Sequence, residues 1–487
     1  MYIEEFNMEK SLEHTLWQAA DKLRKNLDAG DYKHIVLGLI FLKYVSTSHF
    51  IVPGKSGWPH LKDCIGKLNI AEIINKAMAG IEKNNPPLQG IFPREYFRPH
   101  LDPTNLGQLI DLIDSIAIPQ SGLDNTDLLG KVYEHFLRCF AIAEGKKSGQ
   151  FYTPPSIVKL LVEMLRPFKG IVYDPCCGSG SMFVQSERFT LAHQGQLTDL
   201  FLYGQESNAY AHRLCRMNLA IRGMDASNIK WNNQGSFLND AHPKLKAHYI
   251  LANPPFNDSD WNGHLLTADQ RWKFGVPPKG NANYAWLQHI LYHLAPGGIA
   301  GVVLANGSLT TQNKSEEQVR IKMIERGVIE CIVSLPDRLF YNTGIPACIW
   351  FLATGKKQGK KHEPRILFID ARSLGRMITR NNRELSSDDI NTVAAIYHCW
   401  RGSDNQYKDI PGFCKSVQLS NIVAQDHLMT PSRYVGIENA LDKENNPEQF
   451  KQKINQLAGD ITLLIERGAE IDRIILEGLK NIKLLEE

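Results

Sequence analysis

Several absences narrow what this chain can be. None of its 487 residues belongs to an uninterrupted apolar run near the ~18 needed to cross a bilayer, so no membrane span is expected. Met1-Tyr2-Ile3-Glu4-Glu5 lacks the basic-then-apolar opening of an export signal, which makes a cytoplasmic location the expectation. The nine cysteines are scattered without C-x-x-C spacing, and Cys176-Cys177 cannot readily bridge inside a glycine turn, so neither a disulfide framework nor a zinc site is expected. The 16 histidines form no H-E-x-x-H or other ligand cluster, and no metal is expected. A charge of one sign is also missing: the net is +3, far from the basic excess that phosphate binding usually leaves. Basic residues gather only locally, at Lys146-Lys147, Lys356-Lys357 and Lys360-Lys361, where solvated loops are the simplest reading.

The remaining composition, 43% hydrophobic and 22% charged, is that of an ordinary globular protein, and the chain is too long for one ordinary core. Residues 1–145 read as helical. Leu12, Leu16, Leu23 and Leu27 recur at helical spacing, Ile35 to Val45 is a dense apolar helix, and Leu128, Leu129, Val132, Tyr133, Phe136 and Leu137 form another apolar face. Pro86-Pro87 and Pro99 punctuate the region. From 146 to 375 short apolar strands alternate with helices, as an α/β sheet requires, and seven strands can be counted. Residues 376–445 read as an irregular extension. In 446–487, Ile454, Leu457, Ile461, Leu464, Ile471, Ile475 and Ile482 keep a near-heptad spacing interrupted by Gly468 and Gly478, which predicts amphipathic helices needing a surface to cover them.

Two constellations carry chemistry. The apolar strand Tyr249-Ile250-Leu251-Ala252 runs into Asn253-Pro254-Pro255-Phe256, which places Asn253 at a strand's carboxyl end, where open α/β sheets bind ligands. An exocyclic amino nitrogen is a poor nucleophile, and acceptors on its two hydrogens steer its lone pair toward an electrophile. The Asn253 side-chain oxygen and the Pro254 carbonyl can be those acceptors, and Phe256 offers a ring for a flipped base to stack on. Upstream, the strand Gly170 to Tyr173 enters Asp174-Pro175-Cys176-Cys177-Gly178-Ser179-Gly180-Ser181, a glycine turn opening a helix. Phe183 stands where a dinucleotide fingerprint has its third glycine, and no P-loop lysine follows. At the next strand's end Glu206 can accept both hydroxyls of a ribose, so the ligand reads as an adenosine without a pyrophosphate.

These residues resemble the S-adenosylmethionine-dependent N6-adenine DNA methyltransferases, and among them the modification subunits of type I restriction-modification systems. The resemblance rests on three segments in the family's order: Gly149-Gln150-Phe151-Tyr152-Thr153-Pro154-Pro155, Asp174 to Gly180, and Asn253 to Phe256. It implies a seven-stranded, mostly parallel sheet with one antiparallel strand near its edge, an N-terminal helical domain that helps enclose DNA, and C-terminal helices. It further implies that Gln150, Phe151, Tyr152, Thr153, Pro154 and Pro155 lie over the methionine end of the cofactor. Asp174, Gly178, Ser179, Gly180 and Ser181 would form the glycine-loop contact, Glu206 would bind the ribose, and Asn253, Pro254 and Phe256 would handle the adenine. Implied partners are double-stranded DNA, a specificity subunit that joins the C-terminal helices, a second modification subunit and a restriction subunit. One departure stands out: where many relatives carry an Asp that contacts the cofactor's adenine, this chain has Gln234-Gly235-Ser236-Phe237-Leu238. The alternatives are methyl transfer to protein glutamine or RNA, and a noncatalytic scaffold that keeps the fold. Exposed aromatics at Trp261, Trp272 and Phe274 would stack on bases or serve as loop anchors.

Overall fold

The computed structural model describes residues 28–436 apart from 95, 97–101, 116–123, 145–151, 197–198, 342, 356–364 and 403–405, together with scattered residues in 17–21 and 455–473. The Leu12, Leu16, Leu23 and Leu27 stripe, Pro99, and the Lys146-Lys147, Lys356-Lys357 and Lys360-Lys361 clusters lie outside the described residues.

Helix α1 (Ala29–Thr47) is the predicted dense apolar segment, capped by Asp28, whose side chain accepts from the Gly30 N–H. Ile35, Val36, Leu39, Ile40 and Phe41 are all buried, so apolar residues surround the helix rather than striping one side, as expected of a helix at the centre of a bundle. Helices α2 (Ile70–Asn84), α3 (Pro103–Asp114) and α4 (Asp124–Glu144) complete the bundle. Lys43 is buried, yet its Nζ donates to the carbonyl oxygens of Ile113 (2.8 Å) and Asp114 (3.0 Å), capping the end of α3 with a cation.

Beyond the bundle lies a sheet of nine strands: β1 (Gly170–Asp174), β2 (Leu200–Glu206), β3 (Ile229–Trp231), β4 (Ala247–Ala252), β5 (Leu294–Ala305), β6 (Ile329–Ser334), β7 (Ala347–Ala353), β8 (Arg365–Asp370) and β9 (Cys414–Gln418). Their order is β9-β8-β6-β7-β5-β4-β1-β2-β3. Two strands thus extend the expected seven, and two run antiparallel to their neighbours: β7, between β5 and β6, and β9, which pairs with β8 at the sheet's edge. The segment 376–445, expected to be irregular, contains β9 and a fifteen-residue helix, Ser387–Arg401. Ser386 and Asp389 close a reciprocal capping box at that helix's start.

Chain order reverses between β1 and β4, which pair in parallel with Val172 opposite Tyr249 and Tyr173 opposite Ile250. That reversal opens a crevice at the carboxyl ends of these strands, and Asp174 and Asn253 emerge on its two sides. The helical bundle and the sheet share a core: Leu214, Met217 and Ile221 of the helix Ala209–Ile221 pack with the α1 and α4 side chains. Hydrogen bonds reinforce it, from the Tyr133 hydroxyl to the Leu214 carbonyl and from the Tyr44 hydroxyl to the Ala220 carbonyl, both 3.2 Å.

Residues to Val435, apart from Pro411–Phe413, form one compact unit, and those three with Gly436–Glu487 form a second. In the second unit the described residues between Asn455 and Arg473 are helical, Gly468 included, and Ile465 and Ile471 are exposed. Ile454, Leu457, Ile461, Leu464, Ile475, Gly478 and Ile482 lie outside the described residues. Among the described residues no helix is long and apolar enough to cross a membrane.

Candidate active site

The turn after β1 is built around two glycines with positive φ, Gly178 at +52° and Gly180 at +80°. A Cβ on Gly180 would lie 2.7 Å from the Cys215 sulfur, whereas one on Gly178 would meet nothing within 4 Å. Gly180 is therefore required by packing, and Gly178 leaves open space for a ligand. Glu206, at the end of β2, ties this turn to the next strand: its carboxylate accepts from the Gly178 N–H (2.9 Å) and the Asn208 N–H (2.8 Å). Burial raises its pKa above the ordinary glutamate value despite those bonds.

Asp174 is buried and accepts from the Cys176 N–H at 3.0 Å. Burial, with the nearby Glu206 charge adding to it, pushes its carboxyl up to about 7. Cys176 and Cys177 carry thiols raised far above their usual range, so they pack rather than react.

Asn253 follows β4. Its Nδ2 donates to Thr153 Oγ1 at 2.8 Å, while its Oδ1 is buried with no hydrogen-bond partner. Among the described residues no hydrogen bond reaches the Pro254 carbonyl oxygen either. The turn beyond is held by a reciprocal amide pair: the Asn257 N–H and side chain bond the buried Asn283 side chain at 3.1 and 2.9 Å, with Asn257 at φ +53°.

One cavity of ≈ 390 Å³ gathers Tyr152, Thr153, Asp174, Gly178, Ser179, Ser181, Glu206 and Asn253. The other sequence-derived candidates sit beside it. Pro254 is buried, Gly180 shapes the turn, and Pro154 precedes the helix Pro155–Leu165, with Pro155 facing an adjoining groove that includes Arg138 and Arg188. Phe256 does not border the cavity; its ring meets Phe340 edge to face at 5.4 Å. Gln150 and Phe151 lie outside the described residues.

The cavity wall also includes Phe237, Trp261 and Trp286, which the sequence reading did not assign to it. Trp261 and Trp272 are buried against Phe237 and Trp286, so they anchor their loop and do not offer exposed stacking faces. Ser236, at the departure from the family pattern, donates its hydroxyl proton to the Pro175 carbonyl at 2.6 Å.

A second polar cluster, Asp240, His289 and His293, brings its ligand-type atoms within 4.8 Å of one another; the four-residue spacing of His289 and His293 on one helix was the sequence signal for it, while Asp240 joins only through the fold. Arg271 Nη1 lies 3.0 Å from His289 Nδ1, and because a guanidinium only donates, the neutral imidazole carries its own proton on Nε2. That leaves no lone pair for a metal there. Asp240 is instead an anchor for His293 Nε2 at 2.8 Å; burial pushes its carboxyl up, but that bond, the two neighbouring imidazoles and the His242 N–H together bring it down to about 2.

Matches to known proteins bear on this site. Residues 124–443 match the family model described as N-6 DNA Methylase, and 12–49 and 46–113 match the HsdM N-terminal domain. The chain is 43% identical over 419 residues to the HindI type I restriction enzyme methylase subunit of Haemophilus influenzae, covering 85% of this chain and 93% of that one. It is 32% identical to the MjaIX methylase subunit of Methanocaldococcus jannaschii, covering 97% and 91%. Among solved structures, the type I restriction-modification methyltransferase subunit of Streptococcus thermophilus superposes with a TM-score of 0.76 at 24% identity, over 88% of this chain and 100% of that one.

Proposed function

Because the chain belongs to the N-6 DNA methylase family, among the methylase subunits of type I restriction enzymes, we propose that this cavity transfers the methyl group of S-adenosylmethionine to N6 of an adenine flipped out of DNA. The chain is an adenine-specific DNA methyltransferase subunit. What this reading adds is the work of the individual residues.

It rests on one observation: Asn253 keeps a buried carbonyl oxygen unpaired while Thr153 holds its amino group. An orphaned buried acceptor costs about 1–3 kcal/mol, a cost removed when an N–H of the target base arrives. The Pro254 carbonyl is the second acceptor, its peptide held by the following proline. Together they draw both amino hydrogens into one plane and turn the nitrogen's lone pair outward. Phe256, braced by Phe340, offers its ring to the base.

The residues fit the cofactor. A volume of ≈ 390 Å³ suits a ligand of this size, Gly178 leaves open space beside the turn, and Glu206 presents a carboxylate where ribose hydroxyls can donate. When bound, S-adenosylmethionine supplies a methyl group made electrophilic by its sulfonium. Tyr152, Thr153 and the Ser179–Ser181 turn border its methionine end, and Asp174 offers a carboxylate for the positive charge there.

Sequence recognition is proposed to come from a specificity subunit docked on the segment 446–487, with a second modification subunit and a restriction subunit completing the complex. The test is transfer of tritium from labelled S-adenosylmethionine, by the chain with its specificity partner, to DNA, RNA and protein offered together. Label is expected in DNA adenine alone. Asn253→Ala should abolish transfer and leave cofactor affinity within about twofold; equal loss of both would remove Asn253 from the catalytic role.

A further inference from the structure

Three indoles and one phenyl ring form the aromatic part of the cavity wall and its backing. Phe237 lies 4.4 Å from Trp286 and 5.2 Å from Trp261, centroid to centroid. Two of the indole N–H groups are satisfied within the protein. Trp261 Nε1 donates to the Pro278 carbonyl at 3.2 Å, and Trp272 Nε1 to the Leu266 carbonyl at 2.6 Å. Trp286 Nε1 is buried and has no partner, although Trp286 borders the cavity and is 5% exposed. A buried indole N–H ordinarily finds an acceptor, so an orphan beside a cavity marks the place where a ligand supplies one.

The groups across the aromatic part narrow what that ligand atom can be. The turn at Ser236 and Phe237 is already committed: the Ser236 hydroxyl donates to Pro175, and Arg271 takes both carbonyls, that of Ser236 at 3.3 Å and that of Phe237 at 2.6 Å. This turn packs against a base without reading it through those groups. The Trp286 N–H is a buried donor of this wall left without a partner, and a donor selects a ring nitrogen carrying a lone pair.

Resting on the reading of this cavity as the cofactor site, we propose that Trp286 Nε1 donates a hydrogen bond to a ring nitrogen of the cofactor's adenine. Tyr152, Thr153 and the Ser179–Ser181 turn would border the methionine end, and Glu206 would hold the ribose. The adenine then occupies the part walled by Phe237, Trp261 and Trp286, and Trp286 is its specificity-determining contact. A flat π-system fits between aromatic walls, and the indole N–H fixes which edge faces inward.

The experiment titrates the full chain calorimetrically with S-adenosylhomocysteine and with its 1-deaza, 3-deaza and 7-deaza adenine counterparts, in the parent and in Trp286→Phe. One deaza compound should bind the parent about five- to tenfold more weakly, the scale of one lost hydrogen bond. Trp286→Phe should bind S-adenosylhomocysteine with a similar loss, and combining that compound with that variant should cost nothing further. Equal binding of all four ligands by the parent overturns the proposal, as do losses that simply add. The parent arm needs no substitution, so poor folding of Trp286→Phe would leave the result readable. Glu206→Ala separates the two levels. If Glu206→Ala binds as the parent does, the cavity is not the cofactor site and the broader reading fails. If it loses binding while the deaza series stays flat, only the Trp286 contact fails.

Discussion

Replacing Thr153 with Val removes one hydroxyl beside the candidate catalytic amide at nearly constant volume. In the native site the Thr153 Oγ1 accepts from Asn253 Nδ2 at 2.8 Å, which leaves Oδ1 turned toward the site. Without that partner, a buried Nδ2 is left unsatisfied, at a cost of about 1–3 kcal/mol, and the amide gains by rotating to find another acceptor. A rotated amide presents a donor to the amino group of the target base, and that arrangement does not react. If the wrong rotamer is favoured by about 1.4 kcal/mol, one molecule in roughly ten remains competent, so kcat should fall about tenfold. The assay is single-turnover methyl transfer by the complex reassembled with its specificity subunit, with cofactor affinity and thermal unfolding measured alongside. Thr153→Ser should restore most of the rate, because the hydroxyl returns. An unchanged rate in Thr153→Val, or a Ser variant as slow as Val, would refute the positioning role. A rate loss matched by an equal loss of cofactor affinity would assign Thr153 to the cofactor instead.

Other expectations follow from the same geometry. Glu206→Ala should weaken S-adenosylmethionine binding at least about tenfold by calorimetry, since a charged acceptor for two hydroxyls is lost; affinity within twofold of the parent would rule that contact out. Asp174 is expected to make stability fall as pH rises. Its folded pKa of about 7 stands above the 3.8 of an ordinary Asp, so the native state holds a proton that the unfolded chain has released. The stability this adds is full below about pH 4 and is lost progressively up to about pH 7. The urea midpoint of the parent relative to Asp174→Asn should therefore drop between pH 4.5 and 7.5, and parallel profiles would contradict it. Gly180→Ala should destabilise by more than the ~1 kcal/mol of a left-handed alanine, because its Cβ would approach the Cys215 sulfur to 2.7 Å. Adding Cys215→Ala should recover part of that loss in a thermal melt, and no recovery would place the strain elsewhere.

What could be read in the sequence was what local chemistry imposes. The glycine turn, Asp174, Glu206 and Asn253 were legible because strand ends and positive-φ glycines leave short-range marks, and the structure brings these residues into one cavity. The strands β8 and β9 were missed for a physical reason. Arg365-Ile366-Leu367-Phe368-Ile369-Asp370 is only four apolar residues between charges, and Cys414-Lys415-Ser416-Val417-Gln418 is half polar, as suits an edge strand. The capping box at Ser386 and Asp389 was the available signal for the helix between them. Trp261 and Trp272 fit loop anchors as well as nucleic-acid contacts until burial decided between the two. The Asn253–Thr153 bond spans 100 positions and the Asp240–His293 bond 53, and no periodicity reports a pairing that only the folded chain makes.

The apolar seam between the helical bundle and the sheet decides how far this enzyme can be trimmed. Leu214, Met217 and Ile221 belong to the catalytic half and are buried in one core with side chains of α1 and α4. Cut at residue 146, the remaining fragment would present those side chains to water as a sticky face, and it would lose Glu134, the partner of Arg188 and Arg222 at 3.1 and 3.3 Å. A minimal methyltransferase made from the sheet alone should aggregate before it could be assayed.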